Sequence, residues 1–289
     1  MDWTERIRGL RQWSQHGERA PHKPLLMLYA LGRFQQDADA GLRYSEVEQD
    51  LKELLEEYGP RRRTTPAYPF HHLANDEVWE VRTDSGDASP GTGARALRES
   101  GAVGRLAPEL RAALRADPAL GGRLARLLLD LHFAPSLHED LAEATGVAGV
   151  ASGAYVPGMR QLRRGAAEMR RRVFEAYEGR CAFCGFDGAM GRRPVGLEAA
   201  HVRWWAFQGP DTVTNGLCLC SLHHKLFDKG VLGLDPGRTI VVSQRFAGRG
   251  EAARAQVLDL AGRVLTGPRT GSAAVADEHI AWHTAQVFA

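Results

Sequence analysis

Four cysteines fall within forty residues of one another in this 289-residue chain, Cys181, Cys184, Cys218 and Cys220. Cys181-Ala-Phe-Cys184, followed by Gly185, has the spacing of a zinc knuckle. Cys220-Ser-Leu-His223 repeats the two-residue gap. Two such pairs close a tetrahedral Cys3His site, and four protein ligands leave no open position for water, so a zinc ion held there is structural. Cys218 sits two residues from Cys220 and shares a strand face with it, but that pair cannot reproduce the gap of Cys181 and Cys184, so it is assigned to packing. In a reducing compartment, metal ligation is a better reading of these cysteines than disulfides.

Between the two halves of the knuckle run GLEAAHVRWW, a loop GPDTVTNGLCLC and a helix SLHHKLFDKG. LEAAHV, TNGLCLC and LHHKLFDKG resemble the three parts of an HNH, or ββα-metal, nuclease. His201, Asn215 fourteen residues on and His224 nine after that keep the family's order and spacing. The resemblance covers roughly residues 168–245. It implies that His201 is the general base, that Asn215 orients His201 or its loop through a hydrogen bond, and that His224 ligates a divalent cation touching the scissile phosphate. A phosphodiester is anionic and repels nucleophiles, so its hydrolysis needs an activated water and a cation on the developing charge. The implied ion is Mg2+ or Mn2+, with an imidazole ligand making manganese plausible. Many family members carry an acidic residue directly before the first histidine. Here that position is Ala200, and strict alternation places Glu198 on the strand face opposite His201. Asp211 and Asp228 are the other candidates for the second cation ligand.

These groups must be positioned by elements that the pattern makes visible. Residues 3–15 read as a short amphipathic helix, and Pro24 opens a buried helix LLMLYALGRF, where its missing N–H is no loss. Ser45 and Glu48 make a capping box before EVEQDLKELLEEYG. YPFHHL and EVWEV, split by Asn75-Asp76, read as a hairpin. Leu124, Leu127, Leu128 and Leu131 mark one buried helix face. The small, weakly patterned run 147–158 reads as a linker. Beyond it, residues 160–180 hold seven arginines against three glutamates, an arrangement suited to gripping a phosphate backbone beside a nuclease.

The N-terminal half carries a second resemblance. RAPHKPLLMLYALGRF, followed some forty residues later by YPFHHLANDEVWEV, resembles the sulfur-binding domain of phosphorothioate-DNA-dependent restriction endonucleases, a domain joined in the same order to an HNH nuclease in McrA-type enzymes. A phosphorothioate sulfur is larger and less strongly hydrated than oxygen, so an apolar pocket accepts it while rejecting a hydrated oxyanion. The resemblance implies a pocket wall of Tyr68 and Pro69 with His72 as a floor, where the family has a small residue. Arg19 would neutralise charge nearby. Pro21 precedes the first buried helix beside His22 and Lys23, which with Arg61, Arg62 and Arg63 would hold flanking phosphates or read base edges.

Composition is permissive: 44% hydrophobic and 25% charged residues allow packed cores, and a net charge of +2 means that DNA binding must rest on local basic clusters. The first ten residues carry four charges, unlike a signal peptide, and the longest apolar run, Leu25 to Leu31, is far short of a membrane span. The expectation is a cytoplasmic α+β protein. It has a mixed α/β DNA-reading domain over 1–146, a linker over 147–158, and a ββα-metal (HNH) domain with a zinc knuckle over 159–289. The expected function is a modification-dependent, type IV-like restriction endonuclease that binds phosphorothioated double-stranded DNA and hydrolyses nearby phosphodiesters by a one-metal mechanism. Cutting both strands with one centre per chain suggests a homodimer. Two rivals are an HNH endonuclease reading methylated or unmodified DNA, and a non-cleaving zinc protein that binds DNA.

Overall fold

The computed structural model describes residues 2–11, 21–59, 64–148, 166–191 and 193–289. The chain divides into two units, residues 1–156 and 157–289. Residues 149–158 of the expected linker lie outside the described residues, as do Arg19, Arg61, Arg62 and Arg63.

The first unit is built around helix α2 (His22–Gln36). Its run Leu25 to Leu31 is apolar on every side and almost wholly buried, as befits a helix enclosed by neighbours. Pro24 stands in its first turn. Gly32 is required by close approach, because a Cβ there would lie 2.0 Å from the carbonyl oxygen of Thr145, at the end of a helix over His138–Thr145. Helix α1 covers Trp3–Arg8 only, shorter than the 3–15 expected, with residues 12–15 outside the described set. Helix α3 (Tyr44–Tyr58) buries Val47, Leu51, Leu54, Leu55 and Tyr58 at helical spacing. The expected capping box is absent from it. Strand β1 (Leu42–Arg43) runs straight into the helix, Arg43 takes the cap position, and Glu48 is drawn away to the Tyr44 hydroxyl and to Arg98.

The expected hairpin also fails. YPFHHL is helical: α4 spans Ala67–His72 and continues as a 3-10 turn over Leu73–Asp76. Pro66 at the cap and Pro69 in the first turn sacrifice no needed N–H. Ala67, Phe70 and Leu73, each fully buried, share one helical face. Strand β2 (Trp79–Arg82) pairs instead with β3 (Val103–Leu106), which lies centrally in an antiparallel sheet ordered β1-β3-β2. The Trp79 indole donates to the Phe70 carbonyl at 2.9 Å and fastens α4 to the sheet.

Among the described residues, the second unit has first a helix over Ala166–Ala176 that lies against a two-stranded antiparallel ribbon, Leu197–His201 with Gly216–Cys220. The register pairs His201 with Gly216 and Leu197 with Cys220. A helix over Ser221–Asp228 follows without a loop, giving the order strand, strand, helix. Val173, Ala200, Leu217, Cys218, Leu219 and Phe227 are fully buried in one core. A C-terminal helix (Asp277–Gln286) closes it, with His283 stacked flat on Phe227 at a centroid distance of 3.7 Å. Among the described residues, no helix is long and apolar enough to cross a membrane.

Candidate functional site

Cys181, Cys184, Cys220 and His223 converge, with one ligand atom from each lying within 4.8 Å of all the others. Tetrahedral zinc with Zn–S bonds of about 2.3 Å spaces its ligands slightly under about 4 Å, so the donor set fits. The knuckle closes tightly because Gly185, at φ +77°, turns its N–H back to the Cys181 carbonyl at 2.8 Å. His223 Nε2 donates to the Gln256 carbonyl at 2.7 Å, which leaves Nδ1 as the ligating atom, 3.2 Å from Cys220 Sγ and 3.4 Å from Cys181 Sγ. Hydrogen bonds from Cys184 and Cys220 draw the Cys181 thiol far below its ordinary range, while sharing with Cys181 pushes Cys184 far above. Cys218 stays in the core, and burial pushes its thiol up to about 12.

His201 ends the first strand of the ribbon. Its Nε2 meets Asp211 Oδ1 at 2.8 Å, with both side chains about four-fifths buried. Asp211, a candidate cation ligand by sequence, thus lies against His201. A neutral His201 donating Nε2–H to Asp211 presents its Nδ1 lone pair outward. Asn215 has no solvent exposure. Its carboxamide clamps the intervening loop, accepting from Arg203 N at 2.8 Å and donating to the carbonyls of Arg203 and Pro210 at 2.9 and 3.1 Å. Gly209 permits the clamp, since a Cβ there would lie 1.8 Å from the Arg203 oxygen.

His224, on the helix, is flanked by two carboxylates. Glu198 Oε2 lies 2.5 Å from its Nδ1 and Asp228 Oδ2 lies 3.1 Å from its Nε2. Asp228 is almost fully buried and also accepts from the Trp204 indole at 2.9 Å. Burial lowers the His224 pKa, but Asp228 and then Glu198 outweigh it and hold it at about 10. The hydrogen bond with His224 brings Glu198 down to about 2. Alternation along the strand had set Glu198 aside, and Trp204 carried no sequence signal. Arg171 and Arg172, expected on a phosphate-gripping helix, are paired with Glu168 and Glu175.

In the first unit Tyr68 and His72, one helical turn apart, pack with ring centroids 4.4 Å apart and planes tilted by 59°, with Tyr68 39% exposed. Pro69 is buried, so the three are not all open to solvent. Burial, then His71 and Lys23, lowers the His72 pKa. Pro21 is buried ahead of α2 and His22 is half-buried at its start. Lys23, expected to grip phosphate, is instead 9% exposed with its ammonium 2.5 Å from the buried Asp76 carboxylate. Asp76 was not anticipated as its partner.

A strand–strand–helix unit with a cysteine–histidine cluster beside it has the ββα-metal arrangement of an HNH endonuclease. Residues 1–150 match the family model of the ScoMcrA-like DNA sulfur-binding domain, and residues 181–235 match that of the HNH endonuclease. The chain belongs to the ScoMcrA-like DNA sulfur-binding domain family. The sulfur-binding domain of ScoMcrA complexed with phosphorothioated DNA is 22% identical at a TM-score of 0.43, over 51% of this chain and 96% of that one. The corresponding domain of SprMcrA is 27% identical at a TM-score of 0.42, over 50% of this chain and 95% of that one. The type IV phosphorothioation-dependent restriction endonuclease ScoMcrA is 22% identical at a TM-score of 0.45, over 54% of this chain and only 36% of that longer one. No curated protein matches the chain.

Proposed function

We propose that this protein is a phosphorothioate-dependent restriction endonuclease whose N-terminal unit reads the sulfur and whose HNH unit hydrolyses a nearby phosphodiester. The observation that carries the reading is the presence on one chain of a sulfur-binding domain over residues 1–150 and an HNH domain over 181–235. Asp211 holds the His201 ring by Nε2, so Nδ1 takes a proton from the attacking water as its oxygen bonds to phosphorus and the bridging oxygen leaves. Asn215 holds the loop between His201 and Asp211 in the shape that keeps the pair together. A divalent cation, Mg2+ or Mn2+, held by His224 supplies positive charge to the phosphate. The cysteine tetrad, through zinc, ties the His223–His224 helix turn to the knuckle. Sulfur selection rests on the open aromatic face of Tyr68 and His72, with basic residues around it neutralising phosphates. The enzyme works in the cytoplasm, and cutting both strands with one centre per chain calls for a homodimer on DNA.

The test compares His201→Ala with wild type on matched duplexes with and without one phosphorothioate. The variant retains sulfur-selective binding and loses cutting. Equal affinity for the two duplexes, or cutting at the wild-type rate, overturns the reading.

A further inference from the structure

Position 200, where the HNH resemblance leads one to look for an acidic residue, is a fully buried alanine. Glu198 lies two residues earlier on the same strand, and side chains two apart share a face. It therefore occupies the face of position 200, one rung away, with a longer side chain. That side chain reaches the helix, accepting from Ser221 Oγ at 2.7 Å through one oxygen and standing 2.5 Å from His224 Nδ1 with the other.

The two nitrogens of His224 are not equivalent. On the Nε2 side stands Asp228, 1% exposed and tied to Trp204, a buried residue of the loop that Asn215 clamps. A ligating imidazole ordinarily gives its second N–H to a carboxylate or carbonyl, which fixes both tautomer and ring orientation. Asp228 answers that description. On the Nδ1 side stands Glu198, 41% exposed, so this flank is more open to solvent than the Asp228 flank. Protonated on both nitrogens, the ring donates to both carboxylates. A divalent cation that took the place of the Nδ1 proton would meet the Nδ1 lone pair and the Glu198 carboxylate together, with Glu198 and Asp228 supplying the two negative charges that balance it.

We infer that Glu198 is the second protein ligand of the catalytic cation, that His224 binds it through Nδ1, and that Asp228 with Trp204 forms the positioning pair holding the ring in that tautomer. The inference rests on the nuclease reading above. It removes Asp211 from the cation and leaves it with His201.

The experiment uses full-length zinc-loaded protein and Mn2+ alone as the probe, with the free ion counted by electron paramagnetic resonance. Glu198→Gln weakens Mn2+ binding by about 10- to 100-fold, the range seen when a metal site loses supporting groups, while zinc content and the thermal melt stay as in wild type. Asp211→Asn leaves Mn2+ affinity within about twofold. Nitrogen-15 spectra of the Mg2+-bound protein show the His224 proton on Nε2. Wild-type Mn2+ affinity in Glu198→Gln, its loss in Asp211→Asn, or a proton on Nδ1 overturns the assignment. If the wild type itself takes up no Mn2+ and cuts no DNA, the nuclease reading falls with it. If it binds and cuts while Glu198→Gln binds equally well, only this inference falls.

Discussion

At the scale of single residues, the carboxylates facing His201 and His224 decide what their ring nitrogens can do. On the proposed reading, Asp211 on His201 Nε2 leaves Nδ1 to act as the base. Asp211→Asn, which can hold the wrong tautomer, lowers the cleavage rate at least about tenfold without altering DNA affinity. His201→Ala lowers it by roughly 100- to 10,000-fold, the usual worth of a general base. Single-turnover kinetics on a modified duplex checks both. In the reading unit, the lowered pKa of His72 has a defined sign. Folding disfavours its protonated form, so the cost is absent above the unfolded value near about 6.5 and grows as pH falls through the lowered folded value. Melts of wild type and His72→Gln therefore coincide near about pH 8 and separate near about pH 5, with the variant the more stable. A wild type more stable than the variant at the acid end contradicts this. In the sequence, His201, Asn215 and His224 are singled out by the resemblance of LEAAHV, TNGLCLC and LHHKLFDKG to HNH nucleases, and the cysteine tetrad by its spacing. Their partners are not. Alternation says which face Glu198 occupies but not how far a glutamate reaches, and nothing local links Lys23 to Asp76 across more than fifty residues.

At the scale of elements, the family resemblance implies the strand–strand–helix order of the HNH unit, although GPDTVTNGLCLC reads as a loop and its second half forms the strand Gly216–Cys220. The 3.6-residue period of α3 predicts its buried face. The segment YPFHHL shows where such reading stops. Its aromatics favour a strand, but two prolines placed where a first turn tolerates them, and Phe70 docked between Tyr44 and Trp79 at ring distances of 5.1 and 5.5 Å, make it a helix. Tertiary packing outweighs local propensity there. Phe70→Ala is expected to cost about 3–5 kcal/mol of stability, read from denaturant unfolding, because the side chain is fully buried. The loop from Arg203 to Asn215 depends on one side chain. Asn215→Ala strands three backbone groups that it now satisfies and costs about 2–3 kcal/mol while also abolishing cutting. Full cleavage by that variant would show that the loop holds its shape unaided.

At the scale of the whole molecule, two units with separate cores divide the labour. The cluster that could hold a metal belongs to one of them, since its four cysteine and histidine residues lie between residues 181 and 223. Cys184→Ser, or a strong chelator, melts the HNH unit because zinc binding contributes folding free energy, and leaves the transition of the N-terminal unit where it was. The central claim is that sulfur recognition by one unit licenses hydrolysis by the other. The most direct measurement is the cleavage rate of two plasmids, identical except for phosphorothioate linkages, by the full-length protein with Mn2+. The account predicts cutting of the sulfur-bearing plasmid at a rate at least about a hundredfold above the other. Equal rates on the two would contradict it.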